Sequence, residues 1–181
     1  MTVANAAARL LDREITADLA RSLSERALGG AAEEHAETES IAVFRLAREW
    51  FGLPTTALDE IIAARPVHTL PHRRHPALLG LINVRGQLVV CISAAQLLLG
   101  AAPAPGAQRL LVARHAGGRF ALPADEVQHT LEYRLREMKP APSTVARSAS
   151  SYTRGLVSWG DRTIARLDEA LLFEGLGRCL A

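Results

Sequence analysis

Aromatic side chains make up only 4% of the 181 residues. Any core must therefore rest on Leu, Val, Ile and Ala, and 49% of the chain is apolar, enough to build one. Cysteine is nearly missing, with Cys91 and Cys179 the two present. Two cysteines in a chain of this length do not make a disulfide framework, and both read as reduced, structural residues. Charge of one sign is not in excess: the net charge is +2 with His neutral. That is too small for a dedicated nucleic-acid or membrane-surface protein. No apolar run is long enough to span a bilayer. The opening MTVANAAARLLDRE lacks a basic leader followed by a clean apolar stretch, so no signal peptide is expected and the cytoplasm is the expected compartment.

Recognisable catalytic motifs are lacking too. There is no phosphate-binding G-x-x-x-x-G-K-[ST] loop and no G-x-G-x-x-G. Ser93, Ser158 and Cys91 are candidate nucleophiles, but none sits in G-x-S-x-G or beside a His in a catalytic arrangement. Cys91, between Val90 and Ile92, should be a buried, protonated thiol. Asp59 and Glu60 are adjacent, and adjacent side chains diverge on a strand or helix, so they form no acid–base dyad. His68, His72 and His75 invite a zinc reading. Their spacing needs a helix or tight turn that Pro71 and Pro76 oppose, and no nearby Cys or carboxylate offers a fourth ligand. The same loop carries Arg65, Arg73 and Arg74 and could serve nucleic acid, yet no aromatic residue lies between Arg65 and Arg119 to stack a base. No metal, no cofactor and no enzymatic activity is expected.

What the chain does have is alternation. Leu11, Ile15, Leu19 and Leu23 recur every fourth residue and predict an amphipathic helix within residues 1–28. Gly29 and Gly30 end it, and the acidic stretch AAEEHAETES follows as a linker, so residues 1–38 stand apart from a body at 39–176. From Ser40 the pattern becomes short apolar runs around turns: 41–46 with 50–53, 80–84 with 87–92, 109–115 with 119–122, and 156–159 with 162–167. Ser93 and Asp168 are placed to cap two short helices, 94–99 and 168–176.

The pattern repeats. Phe51-Gly52-Leu53-Pro54 returns as Phe120-Ala121-Leu122-Pro123, and Gly80-Leu81-Ile82 before Gly86 returns as Gly155-Leu156-Val157 before Gly160. Residues 40–99 and 109–176 read as two copies of one unit of about five strands, joined by AAPAPGA. The expected fold is mainly β, a first small barrel over about 40–100 and a second over about 108–168, closed by the helix 168–176. In Asn83-Val84-Arg85-Gly86, the glycine supplies a positive φ for a hairpin turn, and Arg85 would project from the mouth of a barrel.

The stretches VFRLAREWFGLPTTALDEI, GLINVRGQLVVCI and YTRGLVSWGDRTIARLDEALLF resemble the CheW family of chemotaxis adaptors, over about Ser40 to Phe173. The resemblance implies two five-stranded SH3-like barrels and a non-catalytic protein. Such a protein couples the cytoplasmic tip of a methyl-accepting chemoreceptor to a CheA-type histidine kinase in membrane-associated arrays. It implies receptor contact through Leu58, Glu60 and Arg85, with Asn83 bracing the turn that presents Arg85. The kinase would dock barrel to barrel through residues that the resemblance does not single out. The Val90-Cys91-Ile92-Ser93 run departs from the family's usual Pro-Ile/Leu-Val-Asp. The N-terminal extension and LPHRRH resemble WspD-type couplers, whose pathway ends in a diguanylate cyclase. A small-barrel nucleic-acid binder using loop 65–75 remains the alternative.

Overall fold

The structure is a computed structural model, and it describes residues 38–71, 74–102, 107–115, 118–141, 149 and 151–180. The expected helix within 1–28, its linker up to residue 37, and His72 and Arg73 lie outside the described residues; the last three residues of the expected linker, Thr38, Glu39 and Ser40, instead begin a strand. The chain divides into two units, Met1–Thr38 and Glu39–Ala181. From Glu39 on, the second unit carries the strands and both short α-helices.

Ten strands and two short α-helices make up the described fold. In chain order the strands are β1 (Thr38–Leu46), β2 (Glu49–Pro54), β3 (Leu58–Ala63), β4 (Leu78–Val84) and β5 (Gln87–Ile92), followed by helix α1 (Ala94–Leu99). Then come β6 (Arg109–His115), β7 (Gly118–Ala124), β8 (Glu126–Arg134), β9 (Thr153–Trp159), β10 (Arg162–Leu167) and helix α2 (Glu169–Arg178). Both helices start where their caps are: Ser93 Oγ accepts from the Gln96 N–H at 3.1 Å, and Asp168 Oδ1 from the Leu171 N–H at 3.1 Å.

The strands form two five-stranded sheets, ordered β8-β1-β2-β10-β9 and β3-β6-β7-β5-β4. These correct the expected barrel boundaries. Neither sheet is a consecutive stretch such as 40–100 or 108–168. Each takes a two-strand hairpin from one copy of the repeat and three strands from the other. One joint in each sheet is parallel: β2 runs beside β10, with Phe51 opposite Ala165, and β7 beside β5, with Phe120 opposite Val90; on its other side the β6–β7 hairpin meets β3 antiparallel. The two Phe-x-Leu-Pro strands are thus equivalent, and each carries its hairpin into the other copy's sheet. Sequence periodicity shows the repeat but not which copy supplies a neighbour.

The ladders do not close into barrels, yet one bridge draws the two edges of each sheet together. Beyond β3, His68 pairs with Leu81 of β4, through N···O contacts of 2.8 and 2.9 Å. Beyond β8, Lys139 pairs with Leu156 of β9, at 2.8 and 2.7 Å. A glycine precedes each bridged leucine for a steric reason. A Cβ on Gly80 would overlap the His68 carbonyl, and one on Gly155 would lie 2.8 Å from the Lys139 carbonyl oxygen.

Three apolar clusters result from this arrangement. Ile82, Val89, Cys91, Leu110 and Val112 form one cluster within the β3–β4 sheet, and Ile41, Val43, Val157 and Ile164 one within the other. The largest lies between the sheets, where Phe44, Phe51, Leu111, Leu122 and Ile92 meet Leu98 of α1 and Leu172, Phe173 and Leu176 of α2. Central strands bury both faces, which is why they read as continuous apolar runs rather than as alternation. In β6, Leu110 and Val112 face one cluster, Leu111 and Ala113 the next.

Candidate protein-docking site

The residues singled out in the sequence converge at one end of the β3–β4 sheet. Arg85 and Gly86 form the two-residue turn between β4 and β5, with φ of 51° and 86°. Positive φ at both positions is the turn whose twist matches that of the flanking strands, so Arg85, and not Gly86 alone, occupies the left-handed region. Asn83 Oδ1 accepts from the Gly86 N–H at 2.8 Å, across the turn. Arg65 donates to the Asn83 carbonyl at 3.3 Å, which ties one cation of the basic loop to this hairpin.

Glu60 meets Arg85 here. Arg85 Nε donates to Glu60 Oε2 at 3.0 Å, while the Arg85 side chain stays 80% exposed and that of Glu60 only 16%. Glu60 is the fixed partner and Arg85 the presented one. An ion pair this exposed adds only about 0–1 kcal/mol to stability.

Arg119, which the pattern of the sequence did not single out, is the centre of the group. Its Nη2 lies 2.8 Å from Asp59 Oδ2 and 3.4 Å from Glu60 Oε1, and its Nη1 donates to Gln87 Oε1 at 2.7 Å. Arg114 adds a 3.5 Å contact to Asp59. Adjacent carboxylates were expected to diverge, but both reach Arg119, because the β3–β6 register shifts between Leu58 and Glu60. A bulge re-aims one side chain where a regular strand would alternate. Arg119 Nε is buried without a hydrogen-bond partner among the described residues. The internal repeat held a signal for this residue, since Arg119 stands before Phe120 as Trp50 stands before Phe51.

Leu58 sits otherwise than a freely exposed contact would. It is half-buried and packs against the core between the sheets. The apolar surface at this end comes instead from Leu88, 68% exposed and paired across the hairpin with Asn83.

The other candidates scatter. Cys91 is fully buried, and burial pushes its thiol up to about 12, so it is no nucleophile near neutral pH. Ser93 serves as a helix cap. His68 lies in the bridge to Leu81, whereas His75 accepts from the Ala77 N–H through Nδ1 and has its Nε2 3.9 Å from Cys179 Sγ. Two of the three imidazoles therefore have different surroundings. Among the described residues, no group of His, Cys, Asp and Glu could hold a metal ion. No helix among them is long and apolar enough to cross a membrane.

A second group stands at the equivalent end of the other sheet. Trp50 of β2 and Trp159 of β9 meet edge to face, with centroids 6.0 Å apart and planes at 72°. The Arg162 guanidinium lies 4.7 Å from the Trp50 ring centre and 5.5 Å from that of Trp159.

Comparison with known proteins agrees with this architecture. The CheW-like domain model matches residues 40–176. Among solved structures, the scaffolding protein TtCheW from Thermoanaerobacter tengcongensis superposes with a TM-score of 0.64 at 21% identity, over 72% of this chain and 84% of that one. No curated protein sequence matches. A match across the whole two-sheet body, with the same fold in a solved relative, shows that this chain belongs to the CheW-like domain family.

Proposed function

We propose that this protein is a non-catalytic adaptor that couples the cytoplasmic tip of a methyl-accepting chemoreceptor to a CheA-type histidine kinase. The observation that carries the reading is the hairpin end of the β3–β4 sheet. There a pinned turn presents Arg85 to solvent while Glu60, Asn83 and Arg119 hold it in register. A receptor tip would offer Arg85 a carboxylate and would cover Leu88 and the accessible part of Leu58. Charges arranged this way set register and exclude wrong partners more than they add affinity. Such contacts act at membrane-associated receptor arrays, where many weak interactions add through avidity. The output is a finer matter: the extension before β1 favours a pathway of the WspD type that ends in cyclic-di-GMP synthesis.

The test is capture of both partners by the purified protein. Wild type should retain the receptor's cytoplasmic fragment and the kinase together. Arg85→Glu should weaken receptor binding by about 2 kcal/mol or more, the scale of an interface anchor, and leave kinase binding intact. Equal retention of the receptor by both proteins would remove Arg85 from the interface. Retention of neither partner by wild type would refute the adaptor reading.

A further inference from the structure

The charges of the chain are segregated. From Ile61 to Ala124 there are seven arginines and four histidines, and not one Asp or Glu. Asp59 and Glu60 stand just before this stretch, so residues 58–124 carry a formal charge of +5 in a chain whose total is +2. The rest of the body, 38–57 and 125–181, is balanced, with ten cationic side chains and ten acidic ones.

The fold turns this block of sequence into one sheet. β3, β4, β5, β6 and β7 all lie within 58–124, and together they are the whole β3–β4 sheet. Its two carboxylates are already taken, Asp59 by Arg114 and Arg119, Glu60 by Arg85 and Arg119. Arg65, Arg74 and Arg109 are exposed, and none of them has a carboxylate partner among the described residues. Elsewhere in the body acids stand among the cations, as Asp125 and Glu126 do beside Arg45. A balanced surface sets up little field at a distance, whereas a face of one sign attracts its opposite before contact.

The sheet also shows what kind of anion suits it. Leu88 is 68% exposed and Ile61 40% exposed on the same sheet. A protein face covers apolar area of that kind, and a phosphate backbone does not. No aromatic residue lies between Arg65 and Arg119 to stack a nucleic-acid base.

We infer that the β3–β4 sheet is an electropositive face that draws in an acidic protein surface, with Arg74 and Arg109 acting through their field and not in the contact. Naming that surface as the receptor's rests on the adaptor reading. The roles then divide: Arg85 holds the partner once docked, and the unpaired arginines bring it in. Contact pairs of this sort set the dissociation rate, and steering charges set the association rate.

Stopped-flow association of the full chain with the receptor's cytoplasmic fragment reads the two roles apart. The wild-type association rate should fall at least about tenfold between about 0.01 M and about 0.3 M salt, as screening shortens the reach of the field. Arg74→Glu combined with Arg109→Glu should slow association about tenfold at the low-salt end and flatten its salt dependence, with dissociation and the melting temperature unchanged. Arg48→Glu combined with Arg136→Glu makes the same change of charge at exposed positions in the balanced part of the body. That pair should leave association within about twofold of wild type. Equal slowing by both pairs would make net charge, and not this face, responsible, and the inference would fail while the adaptor reading stands. It would fail in the same way if wild-type association were indifferent to salt, or if the Arg74 and Arg109 pair changed dissociation alone. Duplex DNA held by wild type at about 0.15 M salt and released by that pair would give the face to nucleic acid and overturn the inference. No binding of the receptor fragment at either salt would refute the adaptor reading and the partner named here together.

Discussion

Arg166 has no exposed surface, yet it is charged. Its fork is satisfied by Glu39 at the start of β1, by Glu169 at 2.8 Å in the first turn of α2, and by the Leu167 carbonyl. Tyr133 of β8 donates to the same Glu39 carboxylate. Burial by itself would raise the Glu39 carboxyl, but the hydrogen bonds from Arg166 and Tyr133 outweigh it, and the net shift is downward. Burial, and then the bond to Glu39, push the Tyr133 phenol up to about 12. A carboxyl lowered in the folded state contributes stability that is fully present above its unfolded value. That stability is lost as pH falls through the folded one. Urea midpoints should therefore decline on acidification below about pH 4.5. Glu39→Gln should flatten that decline and cost about 3 kcal/mol at neutral pH, the scale of removing one partner from a buried pair. A pH profile identical in wild type and variant would show that Glu39 does not govern it. In the other sheet the equivalent of Arg166 is Cys91, opposite Ala121 as Arg166 is opposite Gly52. One copy of the repeat thus fills that position with an ion pair and the other with a small apolar thiol.

Among the elements, the runs that read clearly in sequence are those with two buried faces or a tight glycine turn. The strands at 87–92, 109–115 and 162–167 have the bounds expected of them. Periodicity in the sequence did not reveal β8, and β3 entered only through the family resemblance. Both are edge strands with mixed burial, EVQHTLEYR and LDEIIA, in which polar and apolar residues share both faces and no long apolar run stands out. Glycine at the edge bridges is the matching device on the partner strands. Gly80→Ala should cost roughly 3 kcal/mol, because it combines an unfavourable positive φ with a Cβ set against the His68 backbone. Gly86 also has a positive φ but meets nothing within 4 Å, so Gly86→Ala should cost about 1 kcal/mol, the conformational penalty alone. Equal denaturation midpoints for the two variants would show that the close approach at Gly80 is unimportant.

At the scale of the whole molecule, the exchange of hairpins makes the two sheets interdependent. Phe44 and Phe51 of one and Leu111 and Leu122 of the other share one core with both helices. Unfolding should be a single cooperative step, with neither half of the sequence folding alone. β1 begins at Thr38, and the unit containing nearly all of it runs from Glu39 to Ala181. Removal of residues 1–37 should therefore leave the circular dichroism spectrum of the body intact, with a melting temperature within a few degrees of wild type. An aggregated truncation would show that the extension is part of the core.

The sequence by itself determined that the chain is mainly β, that it repeats, that Ser93 and Asp168 cap helices, and that the Asn83–Gly86 turn presents an arginine. These follow from local periodicity, turn chemistry and capping, which act over a few residues. Only the tertiary structure decided which hairpin joins which sheet, that Arg119 gathers Asp59 and Glu60, that Leu58 is half withdrawn, and that two tryptophans distant in sequence share one cation. Those outcomes depend on register across strands far apart in the chain, where parallel pairing and a bulge, rather than residue spacing, set the neighbours.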